Sequence, residues 1–281
     1  GLTTGIQNTA VGHETLGANA NAALEANDNT VMGYRAGYGL TGDACLNNTF
    51  IGSGAGYANT SGANNVAIGK GSRYTAATGG NETAVGYLSL NLATGNANTA
   101  VGSLAGDAIT SGSSNTAIGY GTDCAATADN QIAIGNGAVT DGANKIRLGN
   151  ASISACNIQV DWTVDSDVRI KKEIIDNTLG LSFINNLKPR KYKKLHPADW
   201  DEAIREDRYK DGHRDEFDDE KIWDGLIAQE VKEAVNKSGA TFSGWEIDSK
   251  GKQGVQYSAL VVPLIKAVQE LSKQIEDLKK G

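Results

Sequence analysis

A short motif close to Asn-Thr-Ala-Val-Gly recurs nine times in the first half of the chain, and it constrains the fold more than any other feature. Clear copies end at Gly12, Gly33, Gly52, Gly69, Gly102 and Gly119, and weaker copies end at Gly86, Gly135 and Gly149. The closing glycines are 21, 19, 17, 17, 16, 17, 16 and 14 residues apart. Such a period is typical of repeat proteins in which each turn of the chain packs only on its neighbours.

Each copy predicts one rung of a solenoid. Its apolar residues stand two apart, which suits a short strand with one inward face, and the glycine after them permits a positive φ or a close backbone approach. Turns are predicted at Thr41-Gly42, Ser61-Gly62, Thr94-Gly95 and Ser111-Gly112. The recurring Asn has two interpretations: a hydrogen-bonded ladder between rungs, or a turn residue only.

The composition of the chain changes near residue 160. Residues 1–165 contain 5 Lys/Arg and 11 Asp/Glu, which leaves 21 of the 26 and 22 of the 33 for residues 166–281. We therefore predict a β-roll repeat shaft at 1–155, a linker at 156–165 and a second domain at 166–281. Because the chain starts at Gly1 without Met, we expect it to be a piece of a longer fibre.

Charge and hydropathy exclude several classes of partner. The longest basic cluster, Lys188–Lys194, reads as a solvated strand face, so we expect no nucleic acid to bind. No apolar run approaches the ~20 residues of a membrane span, so we expect no membrane insertion. The lone His13 of the repeats and the three scattered cysteines have no metal-ligand spacing, so we expect neither a metal nor a cofactor.

The second domain alternates helix and strand signals. We predict a helix over Leu179–Leu187 that ends before Pro189, a strand over Arg190–Leu195, a second helix opened by Gly225–Val231, and a β-prone stretch over Phe242–Ile247. Between these, 16 of the 23 residues in 199–221 are charged. That density predicts a surface excursion outside any core.

The last helix has the clearest periodicity. Its apolar positions are spaced 3, 4, 3, 4 and 3 residues apart, at Val261, Leu264, Val268, Leu271, Ile275 and Leu278. This heptad seam predicts an oligomeric coiled coil over 258–280. β-branched a positions with Leu at d favour two strands, whereas a thin shaft of small core residues favours three copies about an axis.

The repeat resembles the head repeats of trimeric autotransporter adhesins, and similar repeats occur in phage tail fibres. The resemblance covers about residues 5–150. It implies a trimeric β-solenoid of the left-handed parallel β-roll type. We expect this shaft to be followed by a small α+β chaperone domain that ends in a long coiled-coil helix.

Four ordered motifs of the second domain carry another resemblance. They are Ser-Asp-x-Arg-x-Lys at 166–171, Leu187-Lys188-Pro189 with Tyr192, Gly225–Val231, and Tyr257-Ser258-Ala259-Leu260. Together they resemble the self-cleaving intramolecular chaperone domain that ends many phage tailspikes, tail fibres and neck appendages. A similar domain occurs in myelin regulatory factor of animals.

This second resemblance implies a homotrimer that helps the preceding fibre to fold and then cuts its own chain. The scissile bond would be Asp165–Ser166, with Ser166 as nucleophile and Lys171 as base, and each chain would react once. Asp167, Arg169 and Gln229 are candidate supporting residues. The expected location is the virion, with the chaperone domain released in the host cytoplasm after assembly.

The chemistry requires these residue types. A serine hydroxyl attacks a carbonyl only when a base takes its proton, and lysine can do so when burial or a neighbouring cation lowers its pKa. Arg169 and Lys172 are the candidate cations, and Gln229 is a candidate oxyanion donor. Outside the family resemblance, Ser-Asp is an ordinary helix cap.

Two alternatives remain for the function. One is a trimeric surface adhesin head with a non-cleaving trimerisation cap, which leaves the motif at 166–171 unexplained. The other is a sugar-degrading tailspike whose enzyme lies upstream. A host-surface glycan or receptor could bind the shaft or upstream domains. Candidate contacts are the tyrosines of the repeats, which could equally pack on neighbouring rungs: Tyr34, Tyr38, Tyr57, Tyr74, Tyr87 and Tyr120.

Overall fold

The computed structural model describes residues 6–16, 26–40, 44–206 and 209–281. It divides the chain into two compact units, Gly1–Ile153 and Ser154–Gly281. The predicted turn at Thr41-Gly42 lies outside the described residues.

The first unit is a parallel β-solenoid, as the repeat predicted. Its nine strands pair in chain order in one sheet, and every pairing is parallel. They are β1 (Thr9–Val11), β2 (Thr30–Met32), β3 (Thr49–Ile51), β4 (Val66–Ile68), β5 (Thr83–Val85), β6 (Thr99–Val101), β7 (Thr116–Ile118), β8 (Ile132–Ile134) and β9 (Ile146–Leu148). The strands stack in register, so equivalent residues of each motif lie above one another.

The central residue of most strands points into the solenoid. Ala67, Ala84 and Ala100 are fully buried there, and their small size keeps the column thin. Phe50 takes the same position in β3, and space for its ring comes from Gly56 of the same rung. A Cβ on Gly56 would lie 2.4 Å from ring carbons of Phe50. In this rung a large ring and a residue without a side chain thus complement one another in volume.

The glycine that closes each motif has the role predicted for it. Gly52, for example, has a φ of 133°, which residues with a side chain rarely adopt. A Cβ at that position would lie 2.5 Å from the carbonyl oxygen of Gly69 in the next rung. The motif therefore ends in Gly because the backbones of adjacent rungs meet there without room for a side chain.

The asparagine ladder is confirmed, and the same side chains also fix turns. The backbone N–H of Asn48 donates to Oδ1 of Asn29 over 2.9 Å, and that of Asn65 donates to Oδ1 of Asn48 over 3.0 Å. Nδ2 of Asn48 meanwhile donates to the carbonyl of Gly62 over 3.0 Å. The interpretation of the motif Asn as a turn residue only is therefore wrong, because one amide group joins two rungs and also closes a turn.

One rung departs from this pattern with a buried ion pair. Glu82 stands at the ladder position of Asn, and Arg73 lies inside the same rung. Both side chains are fully buried, and Nε of Arg73 lies 2.5 Å from Oε2 of Glu82. The guanidinium also donates to the carbonyl of Gly79 over 2.7 Å, and Asn98 donates to Glu82 over 2.9 Å. Every charge in this cluster therefore has a partner, as burial requires.

The second unit is a small assembly of helices and strands that ends in a long helix. Its elements are α1 (Leu181–Asn186), β10 (Arg190–Lys193), β11 (Ile222–Gly225), α2 (Ala228–Ser238), β12 (Trp245–Ile247), β13 (Gln253–Val255) and α3 (Val261–Lys280). β10 pairs with β11 and β12 with β13, both antiparallel. Its core consists of Leu179, Phe183, Val231, Ala234, Val235 and Leu260.

Two sequence predictions for this unit need correction. Gly225 does not open a helix: it ends strand β11, and α2 begins only at Ala228. The charged stretch was expected outside any core, yet Tyr209 within it is 1% exposed. Its hydroxyl donates to Oδ2 of Asp215 over 2.8 Å, and its ring meets His196 edge-on at 5.7 Å. The charged stretch thus buries one aromatic side chain, although most of its described residues remain exposed.

The final helix exposes its heptad seam within the single chain. α3 starts at Val261, after a 3-10 turn over Tyr257–Leu260, so the helical part is shorter than the predicted 258–280. The seam residues are 42% to 80% exposed, from Leu271 to Leu278. No helix among the described residues is both long and apolar enough to cross a membrane.

The buried ion pair yields a stability test. Glu82→Asn should lower the free energy of unfolding by about 3–5 kcal/mol, because it leaves the Arg73 guanidinium buried without its carboxylate. The double variant Arg73→Leu/Glu82→Asn recreates the residues of the next rung, Leu90 and Asn98, and should return to within about 1 kcal/mol of the parent. Urea midpoints followed by circular dichroism measure both.

A matched control is Lys145→Met, which removes the partly exposed Lys145–Asp141 pair and should cost less than about 1 kcal/mol. If the double variant were as unstable as Glu82→Asn alone, the pair would be needed for more than mutual neutralisation.

Candidate cleavage site

A hydrogen bond joins the two residues expected to carry the chemistry. Nζ of Lys171 donates to Oγ of Ser166 over 2.6 Å. The contact spans five residues because a 3-10 turn over Val168–Ile170 folds the chain back between them. The sequence motif therefore produces the Ser–Lys contact locally, without help from distant elements.

Asp167 holds that turn in place. Its side chain is the N-cap and accepts from the backbone N–H of Arg169 over 2.8 Å. The Arg169 guanidinium donates to both carboxylate oxygens, over 3.0 Å and 2.7 Å. These hydrogen bonds hold the pKa of Asp167 below its usual range and raise the pKa of Arg169. The helix cap in this motif is thus Asp167, which leaves the Ser166 hydroxyl for Lys171.

The charge of Arg169 is offset by this pairing. Arg169 was a candidate for the cation that lowers the pKa of Lys171, but its guanidinium is committed to Asp167 over 2.7 Å. Ser166 and Lys171 are both exposed, as are all residues from 154 to 178. Among the described residues, Lys171 is the one hydrogen-bond partner of the Ser166 hydroxyl.

The segment before the scissile bond is exposed as well. Asp165 follows an alternating run in which Ile158, Val160, Trp162 and Val164 are 50%, 79%, 73% and 81% exposed. The run belongs to no strand or helix. The carbonyl that Ser166 would attack therefore lies on accessible chain outside any strand or helix.

Gln229 is not brought to the Ser–Lys pair. It lies in the first turn of α2 and is exposed, and no hydrogen bond in the described structure joins it to Ser166 or Lys171. Its neighbour Glu230 has a clear role instead, since it pairs with Arg190 over 2.5 Å and with Lys188 over 3.4 Å. The hydrogen bonds from Arg190 lower the pKa of Glu230 to about 2.

The other motifs meet around one glycine. The Tyr257 hydroxyl accepts from the backbone N–H of Leu226 over 2.7 Å. A Cβ on Gly225 would lie 2.5 Å from that hydroxyl oxygen and 2.9 Å from the hydroxyl of Tyr192. Burial, followed by the neighbouring Tyr257, raises the pKa of Tyr192. These motif residues therefore build the framework of the unit.

Sequence reasoning missed one structural residue, Glu270. Its Oε2 accepts from the backbone N–H of Leu181 over 2.8 Å and so satisfies the first turn of α1 from 89 residues away. Gly180 permits this approach, because a Cβ there would lie 2.5 Å from the carboxylate. Glu270 occupies a non-seam position of the heptad helix, which gave no local signal of a capping role.

Comparison with known proteins identifies this region. Residues 166–240 match the peptidase S74 family model, described as chaperone of endosialidase. The match begins at Ser166 and runs through α1, β10, β11 and α2, so it confirms the chaperone resemblance that the motifs within these residues carry. A peptidase S74 segment implies self-cleaving peptidase activity of a general kind. The comparison with curated proteins found no match.

Proposed function

We propose that this chain is the C-terminal part of a phage tail fibre or tailspike whose chaperone domain cuts itself off between Asp165 and Ser166. The observation that carries the proposal is the 2.6 Å hydrogen bond between Lys171 and Ser166, at the residue where the chaperone-of-endosialidase match begins. The Ser–Lys pair supplies a nucleophile and a base at the expected bond.

The proposed reaction needs only groups at this site and one water. Neutral Lys171 takes the hydroxyl proton of Ser166 as Oγ bonds to the carbonyl carbon of Asp165. The C–N bond then breaks, and the proton passes to the new amino group of Ser166. Water hydrolyses the resulting ester, which leaves a carboxylate on Asp165 and restores the Ser166 hydroxyl. Each chain reacts once, because its substrate is its own backbone.

Association of chains would supply the environment that the single chain lacks. A basic lysine requires a lowered pKa, which burial provides, yet Lys171 and its surroundings are exposed. The apolar seam of α3 is equally exposed. We propose that the chains assemble as a homotrimer through this seam and that the assembly encloses the Ser166–Lys171 pair before cleavage.

The shaft carries its own surface for association. The third residue of successive strands forms an apolar stripe along the sheet, with Met32, Ile68, Val101, Ile118 and Ile134 between 37% and 46% exposed. A stripe that recurs on every rung fits packing against identical chains about one axis. We therefore extend the trimer to the shaft, which favours the fibre over a separate monomeric domain.

A chaperone domain at the C-terminus would help the chains of such a shaft to find one register. Rungs of nearly equal length give parallel chains several near-equal registers, and the pairing of long repeats is slow to find. A trimerising end fixes the chains at one point and so selects one register. The proposed place of action is the virion, with the chaperone domain released in the host cytoplasm once the fibre has folded.

Intact mass spectrometry tests the cleavage. The parent chain should yield two pieces that start at Gly1 and Ser166. Ser166→Ala should yield one uncut chain, because it removes the nucleophile. Lys171→Arg should also remain uncut, since arginine keeps the positive charge but cannot act as a base.

The matched control is Lys237→Ala, which removes an exposed lysine at the end of α2 and should be cut like the parent. A parent chain that stays whole in a folded oligomer would reject the proposal and favour a non-cleaving trimerisation cap. Cleavage of Lys171→Arg at the parent rate would reject lysine as the base.

Asp167 should act as a positioning residue. Asp167→Ala removes the cap of the 3-10 turn, which is worth about 1 kcal/mol, and should slow cleavage roughly fivefold. Asp167→Asn keeps an oxygen that accepts from the Arg169 N–H and should retain most of the parent rate. Timed mass spectra after refolding measure both variants. Equal slowing by the two variants would assign the effect to the lost charge instead of the cap.

A further inference from the structure

One face of the solenoid carries a ladder of tyrosine rings. Tyr38 stacks on Tyr57 with ring centres 5.1 Å apart, and Tyr57 stacks on Tyr74 at 4.7 Å, with nearly parallel planes. All three occupy the same position, five residues after the closing glycine of their rung. In the next two rungs this position is held by Asn91 and Asp107. The aromatic ladder is therefore confined to three neighbouring rungs.

A cavity of about 270 Å³ opens beside the ladder. Its aromatic walls come from Tyr34, Tyr57, Tyr74 and Tyr87, and its polar lining includes Arg35, Lys70 and Ser53. Tyr34, Tyr74 and Tyr87 remain 49%, 40% and 48% exposed. The cavity thus combines accessible apolar ring surface with hydroxyl and cationic groups, as small-ligand sites do.

The cations of the shaft are distributed unevenly. Residues 1–165 contain five, of which Arg73 is buried in its ion pair and Lys145 and Arg147 belong to the last rung. The remaining two, Arg35 and Lys70, both line this cavity. In a segment with 11 acidic residues, the exposed cations of the first eight rungs are therefore gathered at one place.

The two cations differ in how they are held. Arg35 is fixed by an ion pair with Glu14, and its guanidinium lies 5.1 Å from the ring centre of Tyr34 and 5.6 Å from that of Tyr38. Lys70 is exposed, and among the described residues its ammonium has no ion pair or hydrogen bond. An ammonium beside an aromatic cavity is available to a ligand that brings its own negative charge.

We propose that this cavity binds a carboxylated sugar unit of an acidic polysaccharide. The tyrosine rings would contact the apolar C–H face of the sugar and their hydroxyls its hydroxyl groups, while Lys70 would pair with the carboxylate. Packing between rungs explains the stacked rings but not the two cations. Beyond the ladder, Asn91 and Asp107 replace the tyrosines, so the stacked ring surface ends at Tyr74.

This inference deepens the fibre role proposed above, since it names the surface that would contact a host glycan, and it is independent of the cleavage chemistry. A second copy of the chain is the other candidate occupant. Charge favours the sugar, because each shaft carries six more acidic than basic residues (11 against 5) and two such shafts repel one another.

Binding measurements on the full chain test the site. The probes are oligomers of galacturonic acid, glucuronic acid and N-acetylneuraminic acid, each beside a neutral hexose oligomer of equal length, titrated by isothermal calorimetry at ~150 mM salt. At least one acidic oligomer should bind at least tenfold more tightly than its neutral counterpart. Lys70→Gln and Tyr74→Ala should each weaken that binding at least fivefold.

Lys145→Gln is the matched control, because it removes the same charge from the last rung and should leave the affinity unchanged. Equal weakening by Lys70→Gln and Lys145→Gln, failure of every acidic oligomer to bind, or equal affinity for neutral oligomers would each overturn the proposal. A change in native mass with Lys70→Gln or Tyr74→Ala would assign the cavity to contact between copies and overturn it as well. Intact mass on the same samples reports cleavage separately, so a cut chain that binds no sugar leaves the proposed function intact.

Discussion

The close approach of adjacent rungs at the closing glycines is the constraint on which the rest of the shaft depends. No side chain fits where the backbone of Gly52 meets that of Gly69, so the chain must return to the same point with glycine at every turn. In-register parallel strands and the asparagine ladder follow from this stacking. Because the rungs are so alike, a second chain could pack against this one in several registers, since a shift by one rung preserves most contacts. A domain that fixes the register of several chains would therefore suit this shaft.

Features that break the repeat are as informative as the repeat itself. The ring of Phe50 is balanced by Gly56, and the Arg73–Glu82 pair is buried within a single rung. The sequence predicted the rungs, their closing glycines and the ladder, because each depends on a local pattern that recurs. It could not predict these exceptions, since they are complementary pairs 6 and 9 residues apart that occur once each. In the sequence, Glu82 at a position that Asn holds in most other rungs indicates that a basic residue is buried nearby.

The second unit shows the same division between local and distant causes. The contact between Ser166 and Lys171 arises locally, from one capped turn, but its role was predicted only from the family resemblance that four ordered motifs carry. The start of α2 was placed too early, because Gly225 pairs with Arg190 of β10 as the last residue of β11, and a pairing between distant segments gives no periodic signal in the sequence. Burial of the lysine is the part that no single chain supplies. Lys171 is exposed in the single chain, and its enclosure on association is part of the proposal.

We propose that the chain cuts itself at Asp165–Ser166 only after copies associate. The most direct measurement is the initial rate of cleavage after refolding at a series of protein concentrations, with the native mass recorded on each sample. The rate per chain should rise with concentration and level off where the trimer is complete. Complete cleavage at an unchanged rate in dilutions that contain single chains alone would contradict it.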